Sequence, residues 1–212
     1  ITVGRGRHVT GEDSWQLAMG DVFVIGGSRP HDYLNIDRLS LINVLYDPSA
    51  LVMQLHDLPS LPGYQALFHL EPAWRRRHQF RGRLRLTPKE LAPAVALVDQ
   101  LEDELNRRDG GFGFLATAAY MQLVGFLSRC YDRSKNPDSR ALLRVATAIT
   151  HMEDSYADPI LLEDLVGLAG MSRRSFLRDF ESVTGCTPIA YLIQIRIKHA
   201  ASLLRQSDRS VT

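Results

Sequence analysis

Leu161-Leu-Glu-Asp-Leu-Val-Gly-Leu-Ala-Gly-Met-Ser-Arg-Arg-Ser-Phe-Leu-Arg-Asp-Phe180 sets two short helical patterns on either side of a glycine. Leu162, Leu165 and Val166 give the first pattern one apolar face. Gly170 allows a sharp turn, because a residue without Cβ accepts positive φ. Ser172 is a natural N-cap for the second pattern, since its hydroxyl can accept from the free N–H groups of a first turn. Phe176, Phe180 and Val183 then recur at helical spacing and form an inner face, so Arg173, Arg174, Ser175, Leu177 and Arg178 point elsewhere. Two short helices joined by such a turn make a helix-turn-helix, whose second helix is shaped to enter a DNA major groove.

Four more helical patterns flank this unit. One runs from about 138 to 156 and is stopped by Asp158-Pro159. Another starts at Thr187-Pro188, where Thr187 caps and Pro188 pre-sets the first turn, and continues to Leu204. Further upstream, Thr87-Pro-Lys-Glu90 reads as a capping box opening a helix with Leu91, Val95, Val98, Leu101 and Leu105 at helical spacing. Asp109-Gly-Gly-Phe-Gly113 ends that helix, and residues 114–131 form a second, more apolar one. The leucine–valine stripe has two readings: a surface for antiparallel pairing with a second copy, or a cover over a neighbouring barrel.

Residues 1–46 read as β-structure, and 47–87 as mixed. Asp21-Val-Phe-Val-Ile25 and Leu39-Ser-Leu-Ile-Asn-Val-Leu-Tyr46 are short apolar runs bounded by glycine or proline turns, the pattern of a small barrel or jelly roll. Arg81-Gly-Arg-Leu-Arg-Leu86 alternates like a strand edge, and 51–55 reads as a short helix broken by Pro59 and Pro62. The pattern starts abruptly, so a preceding segment is expected. These patterns predict an α+β chain: residues 1–133 as a sensing and dimerisation domain, 134–139 as a linker, and 140–212 as an all-α helix-turn-helix unit.

Composition narrows the class. The chain has 212 residues, is 45% hydrophobic and carries a net charge of +1. No apolar run approaches the roughly 20 residues that span a bilayer, and the N-terminus lacks the apolar core of a signal peptide. A cytoplasmic protein without membrane partners is expected. Cys130 and Cys186 show no metal-ligand spacing. The charge is unevenly placed: Arg75 to Lys89 holds seven bases and no acid, and 171–212 holds seven bases against three acids. Two local basic fields on a nearly neutral chain point to anionic partners.

The C-terminal residues carry a family resemblance. Gly170-Met-Ser-Arg-Arg-Ser-Phe-Leu-Arg-Asp-Phe180, Thr184-Gly-Cys-Thr-Pro188, Tyr191-Leu192, Arg196-Ile-Lys-His-Ala200 and Leu203-Leu204 resemble the first half of the DNA-binding domain of AraC/XylS-type bacterial transcription regulators. The resemblance covers about residues 159–212. It implies that Arg174, Leu177 and Arg178 reach base edges; beside them, Ser172 and the free N–H groups of the helix start suit a phosphate, and Arg173 is a further candidate DNA contact. It also makes 188–204 the rigid link to a second helix-turn-helix, beyond the point where this sequence stops. Promoter DNA, a homodimer formed through the 88–131 helices, and RNA polymerase in the full-length activator are the partners it implies.

Gly20 to Asn35, with His31 and Asn35, resembles the second conserved stretch of a cupin, and rhamnose-responsive activators of the same family have a similar region. In cupin enzymes the histidine binds metal, but one histidine is not a site. In sensors of this family the cupin is a ligand pocket without catalysis. No enzyme activity, catalytic residue, metal or cofactor is therefore expected, a cupin oxygenase or isomerase being the rival reading.

Arg75-Arg-Arg-His-Gln-Phe-Arg81 presents planar donors suited to phosphates and purine faces. Arg76, Arg77 and Arg81 resemble the Arg-Arg-x-x-x-Arg element of PilZ domains, which bind cyclic di-GMP. Asp47 and Ser49 stand nearest to the second PilZ element, which lacks its glycine here. With Arg75 they form a candidate effector site for cyclic di-GMP, as in a regulator of exopolysaccharide genes. A sugar-type ligand inside the cupin, a DNA-phosphate contact and a solvated basic loop remain open beside it.

Overall fold

A computed structural model of the chain describes residues 1–10, 13–25, 30–47, 51, 57–75 and 84–206. Strands β1 (Val3–Thr10), β2 (Asp13–Ala18) and β4 (Asp32–Ser40) form an antiparallel sheet in the order β2-β1-β4. A second, two-stranded ribbon pairs β3 (Asp21–Val22) with β5 (Leu84–Arg85). Among the described residues these sheets form no closed barrel.

The strand positions differ from the sequence reading. Only Asp21–Val22 of the 21–25 run pairs, and the long strand is Asp32–Ser40, with 41–46 lying outside any regular element. Pairing with β1 explains this: Val3 faces Ser40 and Val9 faces Asp32, with two register shifts between them. Asn35 and Arg38 have positive φ (51° and 48°) on the bulged strand. Gly4 (φ 76°) lets β1 pass the Arg38 carbonyl, a space that any Cβ would fill.

The helical part opens with a rod that the prolines concealed. A 3₁₀ turn (Leu58–Ser60) leads into α1 (Pro62–Tyr64), a π-helical stretch (Gln65–Leu70) and α2 (Glu71–Arg75). Pro62 starts this rod instead of ending one, since its missing N–H falls among the unpaired donors of a first turn. Pro72 has no N–H to give the Phe68 carbonyl and its ring crowds that turn. The Glu71 N–H bonds Ala66 O, five residues back, and this wider winding makes the room.

Helices α3 (Pro88–Arg107) and α4 (Phe112–Asp132) pack as an antiparallel pair. At the start of α3, the Glu90 carboxylate accepts the Thr87 N–H at 3.0 Å and the Thr87 hydroxyl at 2.9 Å. Arg108 in the left-handed region closes the other end. Gly63 of α1 sits so tightly on α4 that a Cβ would collide with the Ser128 carbonyl.

Helices α5 (Pro137–Asp154), α6 (Leu162–Ala169), α7 (Arg173–Thr184) and α8 (Pro188–Gln206) complete the chain. One buried cluster runs through the whole helical part, from Leu67 and Leu70 through Leu142, Ile149 and Met152 to Leu165, Phe176 and Phe180. The rod packs on α5 through its π-helical stretch and on α7 through α2. No helix among the described residues is long and apolar enough to cross a membrane.

Candidate nucleic-acid interface

The turn between α6 and α7 is built by local chemistry. The Asp164 carboxylate accepts the Leu161 N–H at 3.1 Å and holds the start of α6. Gly170 adopts φ 59° and ends it. Ser172 then caps α7: its hydroxyl accepts the Ser175 N–H at 3.2 Å and donates to the Ser175 hydroxyl at 3.0 Å. Gly185, at φ 82°, closes α7 with its N–H on the Glu181 carbonyl.

The inner face of α7 is dry. Phe176, Phe180 and Val183 are each fully buried, with the two phenyl rings 5.4 Å apart and Phe180 edge-on to Tyr191 at 5.6 Å. Burial pushes the Tyr191 phenol up to about 12, with Glu153 and Cys186 adding to the shift, so it stays neutral there. Burying two such rings fixes the rotation of α7 about its axis. The opposite face is therefore presented to solvent by packing and does not depend on surface contacts.

The candidate DNA contacts fall into three situations on that face. Arg174 is exposed and makes no hydrogen bond or ion pair among the described residues. Arg178 is exposed too, its Nε held at 2.8 Å by Asp179 on the same helix. Arg173 reaches back to Glu163 at 2.9 Å and clamps α7 to α6. Leu177 is half-buried, with one side available. Arg174 and Arg178 are thus stacked one turn apart, beside the free N–H groups of the helix start.

Two features beyond the sequence reading hold this unit in place. Arg196 of α8 donates to the Tyr156 carbonyl at 2.8 Å and to the Asp158 carbonyl at 2.9 Å, tying α8 to the end of α5. His199 lies flat on Tyr156, with ring centroids 3.8 Å apart, and reaches Glu153 at 3.4 Å. The spacing of Arg196 and His199 on one helix face is visible in the sequence; their partners 38 to 46 residues away are not.

Most of the residues read as effector contacts lie outside the described residues, and those read as dimer contacts are described. Arg76, Arg77, Arg81 and Ser49 lie outside the described residues, and Arg75 is described only as the last backbone position of α2. Asp47 is exposed at the end of the segment that follows β4. On α3, Leu91, Val95 and Val98 line a cavity of about 230 Å³ between the strands and α4. Leu101 packs toward Tyr64 and Tyr120, and Leu105 is exposed. His31 is exposed and stacked 5.4 Å from His8, while Asn35 sits on the bulge of β4.

Residues 165–212 match the family model of a helix-turn-helix domain. Similarity extends over almost the whole chain. It is 30% identical over 213 residues to the HTH-type transcriptional activator RhaR of Klebsiella pneumoniae subsp. pneumoniae, covering 98% of this chain and 70% of that one. It is 29% identical over 205 residues to RhaR of Escherichia coli O139:H28, covering 96% and 69%. It is 31% identical over 211 residues to RhaR of Salmonella schwarzengrund, covering 99% and 71%. No solved structure gives a significant match.

Proposed function

The chain belongs to the AraC/XylS family of bacterial transcription regulators, and on that premise we propose that it is an effector-controlled activator whose α7 lies in the major groove of promoter DNA. The observation that carries this is the rotation of α7. Its phenylalanine face is locked inward, and Arg174 stands exposed and unpaired among the described residues at the helix start.

In this reading Arg174 pairs with guanine O6 and N7 through its planar fork. Leu177 meets a thymine methyl, and Arg178 exchanges Asp179 for a base or phosphate. Ser172 and the first-turn N–H groups receive a phosphate oxygen. Arg173 keeps α6 and α7 at a fixed angle through Glu163. A second such unit, which the AraC/XylS resemblance implies, would read the next major-groove face, roughly 34–36 Å along the duplex. The α3–α4 pair supplies the dimer surface through its outer side, Leu105 included, and RNA polymerase is the downstream partner in the cytoplasm.

For the effector, a sugar-type ligand held by the N-terminal part is favoured over cyclic di-GMP at the arginine run. A walled cavity stands between the strands and α3–α4, and the similarity to the RhaR activators spans that part of the chain. Selecting DNA from a random pool with the wild-type chain, then footprinting the product, tests the DNA reading. A protected site with a guanine whose replacement matters as much as Arg174→Ala supports it. Binding that ignores sequence altogether would count against it.

A further inference from the structure

The rod at 62–75 changes its winding halfway, and its two ends are held by different parts of the molecule. The entry is tied to α4 and α5. The Gly63 N–H donates to Asp132 of α4 at 3.1 Å, and Gln65 Nε2 donates to the Pro59 carbonyl at 3.1 Å. Just upstream, the Ser60 hydroxyl donates to Asp154, the last residue of α5, at 2.6 Å. Gly63 to Leu67 are all buried, more than one full turn, so the entry is enclosed on every side. The exit is tied to α7. Leu70 belongs to the buried cluster of Phe176 and Phe180, Glu71 is fully buried, and α2 packs on α7.

The winding between these anchors decides how they face each other. In the stretch Gln65–Leu70 the N–H groups reach five residues back, so it uses about one residue more per turn than an α-helix. One residue of an α-helix is a rotation of about 100° and a rise of about 1.5 Å. From the same fixed entry, α-winding throughout would deliver α2 turned by about that angle. Leu70 and Glu71 would leave their places, and α7 would meet another face of α2.

Pro72 selects the winding. An N–H at position 72 would bond the Phe68 carbonyl and continue the α pattern, but proline has none and its ring strikes that carbonyl. A helix with a free side can bend around a proline instead. Pro93 of α3 is in that situation, exposed to solvent. The rod is held among α4, α5 and α7, and it widens.

We propose that Pro72 is a positioning residue for DNA reading: it keeps the rod in its wide winding, and that winding sets the face that α2 turns to α7 and thereby the place and tilt of the helix that carries Arg174. Its meaning rests on the reading of α7 as the DNA-reading helix, but the position of α7 is measurable without DNA.

The test compares three forms of the 212-residue chain: wild type, Pro72→Ala, and Pro72→Ala with His69 deleted. The substitution permits α-winding and turns α2. The deletion removes the surplus residue at an exposed position of the stretch and turns α2 back. Nitroxide labels on Glu102→Cys of α3 and Glu181→Cys of α7, both exposed, report where α7 stands, in a background of Cys130→Ala and Cys186→Ser. In Pro72→Ala the label distance should shift by about 1–2 Å or more. Affinity for a selected duplex should fall by about tenfold, the scale of one lost base contact. Both should return to wild type in the deleted form, which a merely stabilising proline would not bring about. Unchanged distance and affinity in Pro72→Ala overturns the proposal. So does a loss of affinity that follows the melting temperature and is not recovered by the deletion. If Pro72→Ala fails to fold by circular dichroism, the deleted form decides: wild-type distance and affinity uphold the proposal, and failure to fold overturns it. Selective DNA binding by wild type with an unmoved α7 in Pro72→Ala sinks this inference only. A distance that shifts and is restored, with no selective DNA binding by any form, sinks the regulator reading only.

Discussion

Replacing Arg174 by alanine separates DNA reading from folding more cleanly than any other change in α7. The side chain is exposed and has no ion pair or hydrogen bond among the described residues, so nothing in the fold is lost with it. Alanine is also the better helix former. Stability should therefore move by no more than about 0.5 kcal/mol, the ordinary range for a surface substitution. A bidentate arginine–guanine pair contributes about 1–3 kcal/mol of discrimination, which is roughly a 5- to 150-fold loss of affinity for the selected site. Arg178→Ala should lose less, because that guanidinium must first leave Asp179 at 2.8 Å. Arg173→Ala should act through the α6–α7 clamp, within the ~0.2–1 kcal/mol of an exposed pair. The assay is fluorescence anisotropy on a duplex recovered by selection, at two salt concentrations, with urea denaturation alongside. Unchanged affinity for Arg174→Ala, or a loss matched by an equal loss of stability, would refute the placement of α7 in the groove.

Packing and charge set three other outcomes. Phe176→Ala removes a fully buried ring from the cluster shared by the π-helical stretch, α5 and α7, and should cost about 3–5 kcal/mol of unfolding free energy in urea; a change under ~1 kcal/mol would show that the cluster is not what holds α7. Gly63→Ala should be worse than an alanine at a solvent-facing glycine such as Gly167, since its Cβ meets the Ser128 carbonyl while Gly167 has open space; comparable melting temperatures for the two variants would contradict the tight α1–α4 contact. The bond from the Thr87 N–H, the largest cause, lowers the Glu90 carboxyl from its ordinary range. A depressed folded value means stabilisation that is full above the unfolded value of about 4.3 and disappears as pH falls through the folded value. Glu90→Gln should therefore be less stable than wild type at neutral pH and approach it in acid; a constant difference across that range would rule the linkage out.

The helix-turn-helix was legible because its signals are local. Gly170 and Ser172 mark its turn by conformation and capping, and the structure starts α7 at Arg173, directly after that cap. The capping box at Thr87 is of the same kind. What depends on distant partners was not legible. The rod at 62–75 was hidden because Pro59 and Pro62 read as breakers, whereas Pro62 opens the helix and Pro72 is absorbed by a wider turn. The strand expected at 39–46 lies at Asp32–Ser40, because β1 and its bulges set the pairing, and apolar alternation cannot see register. The stripe from Leu91 to Leu105 announced an apolar face on α3; the periodicity carried no information on what that face meets, and three of its five residues look into the cavity.

The rod at 62–75 has Phe68 in the cavity wall at its middle and α7 against its last turn. Front and back of the molecule are thereby soldered into one hydrophobic mass. Cutting the chain near residue 135 would strip oil from both faces of the break instead of freeing two tidy halves. Heating should melt it in one step, and a guest that settles among the tyrosines should delay the melting of the DNA-reading helix as well, by RT ln(1 + [L]/Kd), or about 2.7 kcal/mol at a hundredfold excess over Kd.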